Sequence, residues 1–399
     1  MLLSIALMIL LSFALAGIFH KLKLPGMLGM LLSGVILGPY VLDVIDPTIL
    51  NISADLREIA LIVILIRAGL TLDIKDLKAV GRPAILLSFV PATIEILAIT
   101  FIAPIMFDMT YLSALTMGAI VAAVSPAIVV PRMIRLIEHK YGQNHRVPQM
   151  ILAGASIDDI YAIIIFTVAI NLQHGMDFSF RTILNVPIAL VLGSALGVVS
   201  GLLLVWFVRK YHVRDTIKVM FILAFGFLFV TLEVWVKPWI AVSGLLAVMA
   251  LAMTINQTHN DLSKRLIFKF EKMWVTAEIM LFVLVGALVN ISVLVDVGLL
   301  SIALIIIAIL FRMLAAYLSV MKTNLSFKER LYVVLSYTPK ATVQAAIGAI
   351  PLALGLPHGD LILLVSVLAI ILTAPFGAIA MDKTYPHLLK PEMDEKSSI

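Results

Sequence analysis

Long apolar stretches separated by short polar connections run through almost the whole chain. A helix needs about 20 predominantly apolar residues to cross a bilayer core, and these stretches have about that length. They predict an all-α polytopic membrane protein with thirteen transmembrane helices. The predicted segments are 1–19, 25–42, 55–72, 84–107, 111–138, 148–172, 182–208, 215–232, 237–255, 272–290, 295–321, 328–350 and 359–381.

Basic residues are distributed unevenly over the connections. Most of the 29 Lys and Arg residues follow odd-numbered segments, whereas Arg57, Arg181 and Lys237 follow even-numbered ones. Basic residues concentrate in the cytoplasmic loops of membrane proteins. The pattern predicts an integral protein of the cell (inner) membrane, with its N-terminus outside and its C-terminus in the cytoplasm.

Two predicted segments contain a proline beside polar residues near the middle of the span. Pro126 follows Ser125 in the fifth segment, and Pro339 follows Thr338 in the twelfth. Proline removes a backbone donor and interrupts a helix. Because the prolines occupy matching places, we expect two broken crossing helices in an inverted repeat of segments 1–6 and 8–13. Such repeats are typical of secondary transporters.

Composition narrows the possible classes. Hydrophobic residues make up 62% of the chain and charged residues 13%, against about 25% charged in soluble domains. Cysteine is absent, which excludes disulfides and thiolate metal sites. The net charge of +5 fits cytoplasmic loops better than nucleic-acid binding. No Walker motif is present, and we expect neither a cofactor nor an enzymatic activity.

Five ionisable side chains lie near the centres of their predicted spans: Glu95, Asp158, Asp159, Arg312 and Lys340. An intramembrane charge is costly and is either part of a structural ion pair or functional. Glu95 and Arg312 sit at equivalent places of the two repeats, so we expect them to form such a pair. Three acids against two bases leave one negative charge, which suits a cation or a proton.

Asp158 and Asp159 form the most informative pair, since no other charge lies between Val147 and Asn171. Two adjacent carboxylates titrate as a coupled unit. Carboxylate, hydroxyl and carbonyl oxygens suit hard cations such as Na⁺ and Li⁺. The two acids, with the hydroxyls of Ser125 and Thr338, are therefore candidate cation and proton ligands. Competition between the two ions would make an exchanger.

Four stretches resemble the cation/proton antiporters of the CPA superfamily, and within its second branch the NHA-type sodium/proton antiporters. They are Arg67-Ala68-Gly69-Leu70-Thr71-Leu72-Asp73, Ala123-Val124-Ser125-Pro126-Ala127-Ile128-Val129-Val130-Pro131, Asp158-Asp159 and Pro339-Lys340-Ala341-Thr342-Val343-Gln344-Ala345-Ala346-Ile347-Gly348. The similarity extends over nearly the whole chain.

The resemblance implies a homodimer that exchanges Na⁺ or Li⁺ for protons by an elevator mechanism. It assigns ion and proton binding to Asp159, pairs Glu95 with Arg312, and leaves Lys340 as the base near Asp158. The implied domains are a scaffold and dimer domain at 1–72 and 215–290, a core ion-transport domain at 84–172 and 295–381, a linker helix at 182–208 and a cytoplasmic tail at 382–399.

The sequence leaves several alternatives open. Oxygen ligands alone do not fix ion size, so a K⁺/H⁺ antiporter or a K⁺ efflux transporter is the main alternative. An intramembrane aspartyl protease would need acids on two helices in Tyr-Asp and Gly-x-Gly-Asp contexts, and neither context lies inside a span. Both electroneutral and electrogenic exchange agree with the sequence.

Overall fold

The computed structural model describes residues 1–71, 81–173, 180–211, 213–236, 239–240 and 242–391. Within these ranges the chain is all-helical, and one isolated bridge between Tyr141 and Pro391 is the only β pairing. Lys237, the end of the first family-like stretch at Leu72-Asp73, and the part of the tail beyond Pro391 lie outside the described residues.

The helices follow the apolar stretches of the sequence. In chain order they are α1 Leu2–Lys21, α2 Gly26–Leu37, α3 Pro47–Asn51, α4 Ser53–Thr71, α5 Arg82–Leu87, α6 Val90–Phe107, α7 Tyr111–Ala122, α8 Pro126–Glu138, α9 Val147–Gln173, α10 Phe180–Lys210, α11 Asp215–Val236, α12 Gly244–Thr258, α13 Asn260–Ala287, α14 Ile291–Ser319, α15 Phe327–Ser336, α16 Thr342–Ile347, α17 Ile350–Ala353 and α18 Gly359–Leu388.

Each predicted segment overlaps at least one of these helices. In the described part of the chain, eight helical stretches are long and apolar enough to cross a membrane. The helices α2, with 12 residues, and α12, with 15 residues, are too short to count among them. The structure confirms an all-helical polytopic membrane protein, while thirteen spans and the inverted repeat remain predictions.

Packing divides the chain into two compact units. The first contains Met1–Pro47, Lys75–Ile170 and Phe282–Ile399, and the second contains Thr48–Ile74 and Asn171–Leu281. In the first unit α14 packs against α6 and α18, and α18 also contacts α7, α8 and α15. In the second unit α12 packs against α4, α10 and α11. Residues 1–47 thus pack with the first unit. The predicted scaffold and dimer domain instead joins residues 1–72 with 215–290. That domain was predicted from its role in transport and stays a prediction.

Local sequence signals set the helix ends that matter for the site. The helix α15 begins with a capping box, in which the Ser326 hydroxyl accepts from the Glu329 amide and the Glu329 carboxylate accepts from the Ser326 amide. Pro126 occupies the first turn of α8, where its missing N–H costs no helical hydrogen bond.

Candidate functional site

The two predicted interruptions are present and they touch. The helix α7 ends at Ala122 and α8 begins at Pro126, while α15 ends at Ser336 and α16 begins at Thr342. The Ser125 amide donates a hydrogen bond of 2.8 Å to the Pro339 carbonyl, which joins the two extended breaks. The two prolines therefore mark a crossing point, as the sequence predicted.

The second break and the helix α16 that follows it supply donors to the end of α7. The Gln344 side-chain amide lies 3.0, 3.1 and 2.9 Å from the carbonyl oxygens of Ile120, Val121 and Ala123. Lys340 Nζ donates to the Ala122 carbonyl at 3.1 Å. The last carbonyls of a helix have no partner inside it and carry partial negative charge. These donors thus satisfy the open end of α7 in the middle of the protein.

Arg312 of α14 lies at the centre of the buried charges. Its guanidinium donates to Glu95 at 2.9 Å, to Asp158 at 2.7 Å and to the Tyr337 carbonyl at 2.6 Å. A further hydrogen bond from the same group reaches the Ala122 carbonyl. Arg312, Glu95 and Asp158 are all fully buried. A planar fork of five donors allows one arginine to hold two carboxylates at once.

Lys340 pairs with Glu95 rather than with Asp158. Its ammonium group lies 2.6 Å from the Glu95 carboxylate and is fully buried, while its backbone amide donates to the Thr373 hydroxyl at 2.8 Å. The expectation that Lys340 is the base of Asp158 is therefore wrong, and Arg312 has that position. The expected pairing of Glu95 with Arg312 is present, with Lys340 as a second partner of the same oxygen.

The two adjacent acids of α9 have different surroundings. One oxygen of Asp158 accepts from Arg312 and, at 2.9 Å, from the backbone amide of Val124 in the first break. Its other oxygen is buried without a partner. Asp159 makes no ion pair in the described part of the chain, and its Oδ1 is buried without a hydrogen bond. A fixed carboxylate and an unattached one thus sit side by side.

The two predicted hydroxyl ligands lie in the breaks themselves. Ser125 Oγ is fully buried and has no hydrogen-bond partner, whereas the Thr338 hydroxyl donates to the Leu335 carbonyl at 2.8 Å. Both oxygens keep lone pairs for a cation. Among the described residues, no group of three or more His, Cys, Asp or Glu side chains is arranged to hold a metal ion. A cation here would rely on mixed carboxylate, hydroxyl and carbonyl oxygens, which suit hard monovalent ions.

Three supporting residues were not predicted as part of the site. Gln344 ties the second break to α7, and the Tyr337 ring lies 5.6 Å from the guanidinium carbon of Arg312. The Tyr337 hydroxyl rests against Gly154, one turn before Asp158, where an added Cβ would overlap it. Gln344 had a detectable signal, a polar side chain at mid-membrane depth, whereas the contact at Gly154 depends on tertiary structure and leaves no trace in the sequence.

An all-helical membrane protein in which two broken helices cross beside buried charges has the architecture of secondary transporters. The sequence agrees, since the model of the transmembrane sodium/hydrogen exchanger family matches residues 7–381. The chain belongs to this family of cation/proton antiporters. Because this is a family of transporters, the hypothesis of an intramembrane aspartyl protease is dropped. The comparison also gives no support to a K⁺/H⁺ antiporter or a K⁺ efflux transporter.

Similar proteins cover nearly all of the chain. Sodium/hydrogen exchanger 9B2 of Mus musculus is 32% identical over 386 residues, which span 92% of this chain and 69% of that protein. Sodium/hydrogen exchanger 9B1 of Homo sapiens is 33% identical over 390 residues, with 93% and 74% covered. The sodium proton antiporter MjNhaP1 of Methanocaldococcus jannaschii has the same fold, with a TM-score of 0.81 at 22% identity over 96% of this chain and 97% of that one.

Proposed function

We propose that this antiporter exchanges Na⁺ or Li⁺ for protons at Asp159. The observation that carries the proposal is the contrast between the two acids. Asp158 is held by Arg312 and by the Val124 amide, whereas the Asp159 carboxylate has no partner in the described chain. A carboxylate without a fixed countercharge is free to hold a proton in one half of the cycle and a cation in the other.

The charges around Asp159 support one-for-one exchange. Glu95 and Asp158 contribute two negative charges, and Arg312 and Lys340 contribute two positive ones within the same hydrogen-bonded cluster. The cluster is neutral as a whole, so Asp159 is left as the variable charge. One carboxylate that carries either one proton or one monovalent cation moves no net charge across the membrane.

Oxygen atoms near the breaks complete the proposed cation site. The second Asp158 oxygen and Ser125 Oγ are buried without partners, and Thr338 lies in the facing break. Transfer of a bare cation from water requires replacement of its hydration oxygens by such ligands. The substrate would therefore bind between α9 and the crossing breaks, with Asp159 as the charged ligand.

The remaining parts of the proposal rest on the family resemblance. We infer a homodimer in which residues 84–172 and 295–381 carry the ion past a scaffold of residues 1–72 and 215–290. The distribution of Lys and Arg supports a cytoplasmic C-terminus. Alternating access by movement of one bundle against another is the general behaviour of transporters with paired broken helices.

Reconstitution into proteoliposomes with a trapped pH-sensitive dye tests the proposal. Wild-type chain should move protons when Na⁺ or Li⁺ is added outside and should respond little to K⁺. The rate should not change when the membrane potential is clamped. Proton movement with K⁺ alone would overturn the ion assignment, and a rate that follows the potential would overturn one-for-one exchange.

A further inference from the structure

A second site opens where three separate connections of the first unit meet. It is a cavity of 410 Å³, a volume within the range of small-ligand pockets of about 300–1,000 Å³. Its lining includes Arg82 at the start of α5, Arg146 just before α9, and Lys322 just after α14. All three connections follow odd-numbered predicted segments and are therefore on the predicted cytoplasmic side.

The cavity is strongly basic. Arg82, Arg146 and Lys322 make no ion pair with any residue that the structure describes, and no Asp or Glu among the described residues lines the cavity. Some basic side chains elsewhere in the chain are paired with acids, as Arg132 is with Asp382 at 2.8 Å. His145 also lines the cavity, but its ring is engaged by Glu329 at 2.9 Å. Three unpaired cations around one concave surface attract an anion.

The neutral lining suits an anion with several oxygens. Asn144 and Asn324 contribute side-chain amide donors. The hydroxyls of Ser319 and Thr323 also line the cavity, but they donate to backbone carbonyls of their own segment. Arginine binds phosphate oxygens through two parallel hydrogen bonds, and lysine binds them as a point charge. Positive charge in cytoplasmic loops orients the whole protein, but it does not explain why three connections that are far apart in the sequence place cations around a single cavity.

The position of the cavity favours a lipid as the source of that anion. Three helical stretches long enough to cross the membrane, Arg82–Phe107, Val147–Gln173 and Ile291–Ser319, each have one end at the cavity. The ends of transmembrane helices lie at the level of the lipid headgroups. Basic pockets between such helices on the cytoplasmic side bind anionic headgroups. We propose that this cavity binds a phosphate group, carried by the headgroup of an anionic phospholipid.

Thermal unfolding of the purified full-length chain in detergent tests the proposal. The added probes are phosphatidylglycerol, phosphatidylcholine and inorganic phosphate, each titrated separately. The cavity variant carries Arg82→Gln, Arg146→Gln and Lys322→Gln. A matched variant carries Arg135→Gln, Lys264→Gln and Lys328→Gln, which remove the same charge from exposed positions outside the cavity. Both variants lose three positive charges, so a difference between their responses to the anions is due to the position of the charges at the cavity.

We expect phosphatidylglycerol to raise the melting temperature of the wild type and of the matched variant more than phosphatidylcholine does. The apparent affinity of the cavity variant should be at least about tenfold weaker, equivalent to about 1.4 kcal/mol. The same pattern with inorganic phosphate, and not with the lipid, would support the phosphate site and assign it a soluble source. Equal responses of both variants, or no response to either anion, would overturn the proposal. If the triple variant does not fold, Arg146→Gln and Lys322→Gln alone should each weaken the response.

Discussion

The two faces of α9 that carry Asp158 and Asp159 differ more than their adjacency suggests. Asp158 faces Arg312 and the first break, and its oxygen is fixed by a guanidinium and a backbone amide. Asp159 points about 100° away around the helix and has no partner in the described chain. Because adjacent residues face different sides of the helix, Asp158 is held in a structural ion pair and Asp159 is left without one. Substitutions at each acid and at the groups around it test that division.

Loss of the free acid should have the largest effect. Asp159→Asn removes the only acid of the cluster without a fixed countercharge, so cation-dependent proton movement in proteoliposomes should be abolished. The melting temperature should change little because no ion pair is broken. Asp158→Asn is the matched control, since it makes the same chemical change one residue away. Asp158→Asn should lower the melting temperature and keep measurable proton movement. If Asp158→Asn instead abolished proton movement and Asp159→Asn lowered the melting temperature, Asp158 would be the exchanging acid and Asp159 the structural one.

Removal of the central cation should cost most in stability. Arg312→Ala leaves Asp158 without its cation and opens the bonds to Glu95 and to the Tyr337 carbonyl. Breaking a buried ion pair from one side costs about 3–5 kcal/mol of unfolding free energy. Thermal unfolding of the variant in detergent measures this loss. An unchanged melting temperature together with lost transport would show that Arg312 acts directly on the transported ion.

Lys340 tests the neutral cluster. In Lys340→Gln the carboxylate of Glu95 keeps Arg312, so exchange should persist, and it should still be independent of the membrane potential. Loss of one charge-assisted bond should lower the unfolding free energy by about 1.5–3 kcal/mol. Lys328→Gln, an exposed lysine in the first turn of α15, is the control. Abolished exchange at unchanged stability would instead identify Lys340 as a proton carrier.

The smallest effect is expected one turn before Asp158. A Cβ at Gly154 would overlap the Tyr337 hydroxyl and approach Leu87 Cβ to 2.9 Å. Both neighbours are fully buried. Gly154→Ala should therefore lower the unfolding free energy by about 1–3 kcal/mol through overpacking. Gly17→Ala on α1, where nothing lies within 4 Å, should not destabilise. Equal melting temperatures of the two variants would mean that α9 does not depend on this contact.

Sequence reasoning predicted the helices, the two breaks and the five mid-membrane charges because each is a local property. An apolar run, a proline beside polar residues and an isolated charge are all visible without the fold. Pairing is different, since Arg312 comes from α14 and Lys340 from the second break, and both reach Glu95. Which of the two bases also reaches Asp158 depends on side-chain length and shape. Arg312 does so because its forked guanidinium can hold two carboxylates at once.

The supporting contacts depend on tertiary structure for the same reason. Gln344 follows the second break, but the sequence does not show that its amide meets the carbonyls at the end of α7. The crossing of the breaks, through the Ser125 amide and the Pro339 carbonyl, brings those groups together. The sequence predicts the helix breaks from the two prolines. It does not predict which polar groups hydrogen-bond to the interrupted backbone, because those contacts depend on the tertiary structure.

Proton release on cation binding shows directly whether Asp159 exchanges one proton for one cation. Titration calorimetry of the purified chain with NaCl, in buffers of different ionisation enthalpy, counts the protons released for each sodium ion bound. At a pH below the apparent pKa of the site, one carboxylate that trades a proton for Na⁺ predicts one proton per ion. Asp158→Asn should keep that release, and Asp159→Asn should remove both binding and release. Release of two protons, or release that survives in Asp159→Asn, would show that Asp159 is not the single exchange site.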